Sequence, residues 1–422
     1  MEPQSSSLLS GETSLLSGQK SRSVFSLVVI VASLGYFVDI YDLVLFGIIR
    51  VSSLTSLGLS PDQIREKGLL LINVQMAGML LGGILWGVLG DKKGRLKVLF
   101  GSIILYSIAN IANGFVHGIN GYMLWRFLAG LGLAGELGAG ITLVAEVLPR
   151  EKRGYGTMLI PTIGVSGAIV AGFIAEEFSW RTCFFIGGGL GILLLLLRIG
   201  VLESGMFNTI KNARVSKGNF FSLFTDKEKF IKYLKCILIG LPTWYVVGIL
   251  VFFSNDFARQ MGVHGVVKPA IAVMASYAGL VFGDLLSGII SQIWKSRKKT
   301  VILFLLLTAG TIILYFNLYN ATPKAFYWIC FALGVTVGYW AIFITIAAEQ
   351  FGTNLRATVT TTVTNFVRGM LIPISALYAF LQNYVSLYVS GAVVGAACLI
   401  IALIAAFSIE ETFHKDLNYV EK

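Results

Sequence analysis

From residue 24 onward, apolar residues come in runs too long and unbroken to be the single stripe of a soluble helix. They lie at about 24–47, 68–90, 98–116, 121–147, 155–177, 182–201, 232–254, 269–292, 300–318, 325–348, 357–381 and 385–408. About 20 such residues make a helix that crosses the hydrocarbon core of a bilayer. The pattern therefore predicts an all-α membrane protein with twelve transmembrane helices. The longest hydrophilic interval, 202–231, separates six spans from six and predicts two six-helix bundles, 24–201 and 232–408. Residues 1–23 are polar and Ser-rich, with SLLSG at Ser7–Gly11 and again at Ser14–Gly18, and read as a disordered tail. No signal peptide is expected ahead of the first span. A short tail, 409–422, follows the last run.

Composition agrees: the chain is 56% hydrophobic and 13% charged, with a mean hydropathy of +0.79, where a soluble protein would carry about 25% charge. The net charge of +11 raises a nucleic-acid reading, but the distribution of the bases argues against it. With a cytoplasmic N terminus, the inner segments collect Lys20, Arg22, KKGRLK (Lys92–Lys97), REKR (Arg150–Arg153), the central loop, KSRKK (Lys295–Lys299), Arg356 and the tail. The outer segments hold only Arg50, Arg65, Lys67, Arg181, Arg259, Lys268 and Lys324. Lys and Arg accumulate in cytoplasmic loops, so both termini are expected inside. The four cysteines lie in or beside apolar runs and form no disulfide framework, and the three histidines have no metal-ligand spacing. No nucleophile elbow, Walker loop or CxxC pair occurs, so no enzyme activity, cofactor or metal is expected.

Charges inside the runs are the candidates for function, since a charged group near the bilayer centre costs about 2.5–3.5 kcal/mol on insertion scales. The first run contains YFVDIYDLVLFG, with Asp39 and Asp42 about one helical turn apart. Arg126 lies a turn or more inside the fourth run, and Glu136 follows in a Gly-rich stretch of the same run. Asp284 and Arg368 sit at intermediate depth in the second half. Either they pair, or Arg368 anchors an anionic substrate. Gln75, Tyr245, Tyr277, Tyr339, Trp340 and Asn365 are candidate substrate contacts, although any one residue of this kind is more often packing or part of an interfacial belt than a ligand contact.

The two halves echo each other. GVLGDKKGR begins at Gly87 and GIISQIWKSR at Gly288; Glu146 and Arg153 are seven apart, as are Glu349 and Arg356. Repeated halves around a midplane site are an architecture of secondary transporters. The stretch Gly87-Val-Leu-Gly-Asp91-Lys92-Lys-Gly94-Arg95-Leu-Lys97 is similar to the signature loop of the major facilitator superfamily. Arg126-Phe-Leu-Ala-Gly130-Leu-Gly132, with Glu146-Val-Leu-Pro-Arg-Glu-Lys-Arg153-Gly154, resembles its sugar-porter-like branches. Tyr41-Asp42 together with Gly135-Glu136-Leu-Gly138 looks most like the metabolite:proton symporters. The resemblance covers the whole chain in topology, but its motifs lie mainly in the first half. The second signature loop departs from the pattern, with Gln292 where Asp91 would align.

The resemblance implies that Asp42 pairs with Arg126 and carries a coupled proton. The alternative is a static buried ion pair that orders the bundle. Asp39 and Glu136 are the further coupling candidates. At the inner ends of the spans, Asp91 can accept hydrogen bonds from an Arg or a helix N-terminus. Asp91, Arg95, Glu146 and Arg153, with Glu349 and Arg356 as counterparts, form the expected inner gate; the competing reading is that such loop charges only set topology. The function expected is proton-coupled import of a small polar solute, a carboxylate or zwitterion, by a monomer in a bacterial inner membrane. Its partners are that small molecule, protons and lipid, with no nucleic acid. A proton-coupled exporter of drugs or siderophores is the alternative; a transport-fold receptor or membrane enzyme has less support.

Overall fold

The computed structural model describes residues 27–93, 95–148, 159–203, 220–413 and 415, with the backbone alone at 90–92, 95–96, 142, 145–147, 200–203, 353–354 and 357. Every regular element among them is helical. The first half comprises α1 (Leu27–Ser56), α2 (Pro61–Lys93), α3 (Arg95–Asn113), α4 (Ile119–Leu133), α5 (Glu136–Val147), α6 (Gly167–Glu177, at the end of a helical run from Leu159) and α7 (Trp180–Glu203). The second half comprises α8 (Ser222–Thr225), α9 (Lys227–Ile239), α10 (Leu241–Tyr245), a π-helical turn (Val246–Val251), α11 (Ser254–Gln260), α12 (Pro269–Trp294), α13 (Arg297–Phe316), α14 (Pro323–Val337), α15 (Trp340–Gln350), α16 (Thr353–Gly369), α17 (Leu371–Leu381) and α18 (Leu387–Ser408).

Local chemistry sets the helix starts. Proline stands at the first turn of α12 and α14, where a missing N–H costs nothing. Asp226, Ser296, Thr322 and Ser386 cap α9, α13, α14 and α18 by accepting hydrogen bonds from free backbone N–H groups. Ten described segments are long and apolar enough to cross a membrane. Two other stretches expected as spans are also helical: α3 is shorter, and the fourth is broken between α4 and α5 at Ala134 and Gly135.

The first helix runs on to Ser56, nine residues beyond the apolar run, and so takes in Arg50, which the loop assignment had placed outside. Arg50 is buried because a partner awaits it in the second half, as described below. The ends bearing Lys92–Lys97 and Lys295–Lys299 form the basic face, and the ends at 57–60 and 261–268 form the far face.

The two halves meet along α2 and α16, and along α6 and α12. Small residues permit the close approach. A Cβ at Gly138 in α5 would come 2.1 Å from the Thr361 Oγ1 of α16, and one at Gly83 in α2 would come 2.9 Å from Asn365 Cβ. Asn365 also donates from Nδ2 to the Ala134 carbonyl at 2.9 Å, satisfying a backbone acceptor freed where α4 gives way to α5.

Candidate functional site

Between the halves, α1 and α16 bring an acid and a base together. Arg368 Nη2 lies 3.8 Å from Asp39 Oδ2 and donates to the Tyr36 hydroxyl at 3.1 Å, and its Nη1 reaches Asn365 Oδ1 at 3.4 Å. The side-chain exposures are 1% for Arg368 and 0% for Asp39. This pair is underfilled: Arg368 Nε and both Asp39 oxygens have no hydrogen-bond partner among the described residues. Tyr277 from α12 lies within electrostatic reach of Arg368 and Asp39, and Trp340, at the start of α15, stands beside Tyr36. Of the sequence candidates, Asp39, Tyr277, Trp340, Asn365 and Arg368 are thus brought together.

Asp284 is not the partner of Arg368. Its Oδ1 accepts from the Ala341 N–H at 3.1 Å, holding the first turn of α15. Tyr245, Tyr339 and Gln75 are spent on backbone carbonyls: Tyr245 on Gly391 (2.6 Å), Tyr339 on Ile239 (2.9 Å) and Gln75 on Leu43 (3.4 Å).

Asp42 turns the other way, into the interior of the first half. A Cβ at Gly187 of α7 would lie 2.4 Å from its Oδ1. Arg126 reaches Asp42 through the backbone, donating from Nη2 to the Asp42 carbonyl at 3.5 Å; no hydrogen bond or ion pair joins the two side chains. The guanidinium is flanked instead by the rings of Phe46 and Phe184, 5.6 and 5.7 Å away. The side-chain pair implied by the resemblance is therefore not made in this arrangement. Glu136 has a partner that the sequence reading passed over. Arg198 of α7 donates to it through two nitrogens at 2.8 and 3.3 Å, and Ser102 Oγ at 2.9 Å. A signal was present: Arg198 is a lone charge ending a run of leucines.

Of the expected gate charges, Arg153 and the side chains of Asp91, Arg95 and Glu146 lie outside the described residues. Glu349 pairs with Arg297 at 3.6 Å and accepts from Thr412 Oγ1 at 2.7 Å, while Arg356 donates from Nε to the Ala348 carbonyl at 2.9 Å. Glu411, just past α18, accepts from Ser296 Oγ and from the Arg297 N–H at 2.9 Å. It brings a carboxylate to the loop where Gln292 replaces the acid of the signature pattern. On the far face, Arg50 Nη2 donates to Asp256 (3.2 Å) and Asn255 (3.1 Å) of α11, with its guanidinium 4.0 Å from the Phe253 ring centroid. Lys268 also pairs with Glu176, and Ser375 donates to Asn73 at 2.8 Å. These contacts of Glu349, Arg356 and Glu411 lie within the second half. The halves touch on the far face through Arg50, Lys268 and Ser375, and on the other side of Asp39 and Arg368 where Gly138 meets Thr361.

Residues 32–376 match the model of the Major Facilitator Superfamily. The chain is 25% identical over 358 residues to the niacin transporter of Acinetobacter baylyi, covering 78% of this chain and 80% of that one. It is 26% identical over 399 residues to the sialic acid transporter of Escherichia coli, covering 91% and 94%. A multidrug resistance protein of Klebsiella pneumoniae is 26% identical over 201 residues, covering 46% of this chain and 48% of its own.

Proposed function

Because this chain belongs to the major facilitator superfamily, we propose that it is a secondary active transporter that carries a small carboxylate-bearing metabolite together with a proton, by alternating access. The observation that carries this reading is the buried, underfilled pair of Arg368 and Asp39 across the halves. A guanidinium presents a planar fork that suits a carboxylate. For a substrate carboxylate to take Arg368, Asp39 must let go, and a released, buried Asp39 is neutral only with a proton on it. Substrate and proton therefore enter together. Asp42, one turn along the same helix, is the second proton-binding carboxylate, with Arg126 as its neighbouring charge. Trp340 and Tyr277 would pack on the body of the substrate. The niacin and sialic acid relatives align over most of this chain, which supports an acid; the multidrug relative aligns over less than half.

The Lys/Arg bias of the loops supports a cytoplasmic KKGRLK face and cytoplasmic termini in a bacterial inner membrane. The likeness of the fourth span to metabolite:proton symporters supports import, with the proton entering down its gradient and carrying the acid inward. The six charges at the ends of the spans, Asp91, Arg95, Glu146, Arg153, Glu349 and Arg356, form the inner gate, and the monomer is the working unit. The test is uptake by the full chain reconstituted in vesicles, with labelled nicotinate and sialic acid as probes. An inward proton gradient should drive accumulation of at least one acid, and Arg368→Gln should abolish it in folded protein. Expulsion of cationic dyes with neither acid transported would overturn the reading in favour of an exporter.

A further inference from the structure

Tyr277 and Asp284 share one face of α12. Seven residues fall roughly 20° short of two full turns, which sets Asp284 about 10 Å nearer the basic face along the axis. Tyr277 lies within electrostatic reach of Arg368, Asp39 and Tyr36, and Asp284 lies within reach of Tyr36. The strip on which the halves close therefore carries a guanidinium at one level and a carboxylate at a level nearer the basic face.

Asp284 is 2% exposed, and only one of its oxygens is used. Oδ1 accepts from the Ala341 N–H at 3.1 Å, beside the Trp340 N–H, where α15 begins after its break from α14. Close backbone packing delivers it there: a Cβ at Gly338 would lie 2.5 Å from Gly283 Cα. Oδ2 has no hydrogen-bond partner, and no basic side chain pairs with Asp284 among the described residues. Capping alone does not need this group. Asn and Ser cap a helix about as well as Asp, and neither carries the desolvation cost of a buried carboxylate. The surplus is an oxygen and a full negative charge.

We propose that Asp284 is the subsite for a cationic group of the substrate, so that the transported solute is a zwitterion with its carboxylate on Arg368 and its ammonium on Asp284. This rests on the organic-acid reading above. In that reading Asp39 takes the proton, which leaves Asp284 as the carboxylate for a cation. The ammonium donates to Oδ2 while the Ala341 N–H keeps Oδ1. Arg368 and Asp284 both belong to the second half, whereas Tyr36 and Asp39 belong to the first. The strip is closed in this arrangement, and space for a solute is made when the halves part and Tyr36 leaves Arg368 and Trp340. Both ends of the solute then stay on one half while the other moves.

The test is counterflow by the full chain in vesicles, with straight-chain ω-amino acids as probes. Each is compared with the alkanoate that has a methyl group in place of the ammonium. The native chain should prefer the amino acid at the best chain length by at least about tenfold, the size of one charge-assisted hydrogen bond. Asp284→Asn keeps an acceptor for the Ala341 N–H and should bring that preference close to unity. Asp284→Ser repeats the measurement if the melting curve shows that the Asn variant does not fold. Equal or better exchange of the alkanoates by the native chain would overturn the zwitterion subsite and leave the organic-acid reading standing. A preference that survives in both Asp284 variants, or is lost in Asp39→Asn instead, would overturn it as well. Exchange of neither class would remove the organic-acid reading and the subsite together.

Discussion

Asp39 and Asp42 both stood out from sequence as candidates, because charge inside an apolar run is costly; their partners did not. Three residues advance a helix by 300°, so the two carboxylates diverge by roughly 60° around α1. That angle separates the interface between the halves, where Asp39 meets Arg368, from the interior of the first half, where Asp42 meets α3 and α7. Periodicity fixes the relative angle of two side chains but not which neighbour each one faces. Arg50 was missed for a related reason, since its burial depends on Asp256, some two hundred residues away. Exchange at Asp39 gives the first prediction. Binding of the transported acid should tighten as pH falls, since protonation frees Arg368. In Asp39→Asn that dependence should flatten while substrate counterflow survives, and a preserved pH dependence would assign the proton elsewhere. The second concerns Gly138, where Thr361 fills the space a side chain would need. Gly138→Val should hold the halves apart at the basic face, costing about 1–3 kcal/mol of the closed arrangement. Faster labelling of a cysteine placed at Thr361 would report it.

Helices were read well where the apolar run was uninterrupted, and poorly where a helix breaks. Breaks at 134–135 and 338–339 leave hydropathy unchanged, because the residues there are as apolar as their flanks; the backbone partner that tolerates the break comes from another helix. Asn365 is that partner for Ala134. Asn365→Leu should leave a buried carbonyl unsatisfied, at about 1–3 kcal/mol, and lower the melting temperature more than Asn365→Ser does. The segment after α18 shows the same dependence on distant partners. Partial burial pushes the Glu411 carboxyl up, but hydrogen bonds from Ser296 and from the N–H groups of Arg297, Phe413 and Thr412 outweigh it and hold it below its ordinary 4.5. A lowered value in the fold means stability that is present above pH 4.5 and lost as pH falls through the native value. Glu411→Gln should therefore melt earlier than the native chain near neutral pH, with the gap closing in acid. A gap independent of pH would show that the carboxylate charge contributes nothing.

Across the whole molecule, the far face is held by a buried pair and an exposed one, and the two should respond differently. Lys268 and Glu176 are screened by solvent and salt. Arg50 is 1% exposed, and removing the charge opposite it leaves a buried guanidinium with only the neutral acceptors of Asn255 and the Phe252 carbonyl, where breaking a buried pair costs up to about 3–5 kcal/mol. Asp256→Asn should thus loosen the far face, while Glu176→Gln should leave it nearly unchanged. The four native cysteines are all buried, so a Ser375→Cys reporter has little background. Its reaction with a membrane-impermeant thiol reagent should speed about tenfold in the first variant only; equal rates would exclude Arg50 as the latch. The reach of Glu411 back to Ser296 and Arg297 bears on how mutations in this chain are scored. A nonsense codon at position 410 would spare every apolar segment, and by hydropathy the shortened product would look whole. It would nevertheless lose the carboxylate that closes the 295–299 loop, so late stop codons in this reading frame belong with the damaging alleles rather than the silent ones.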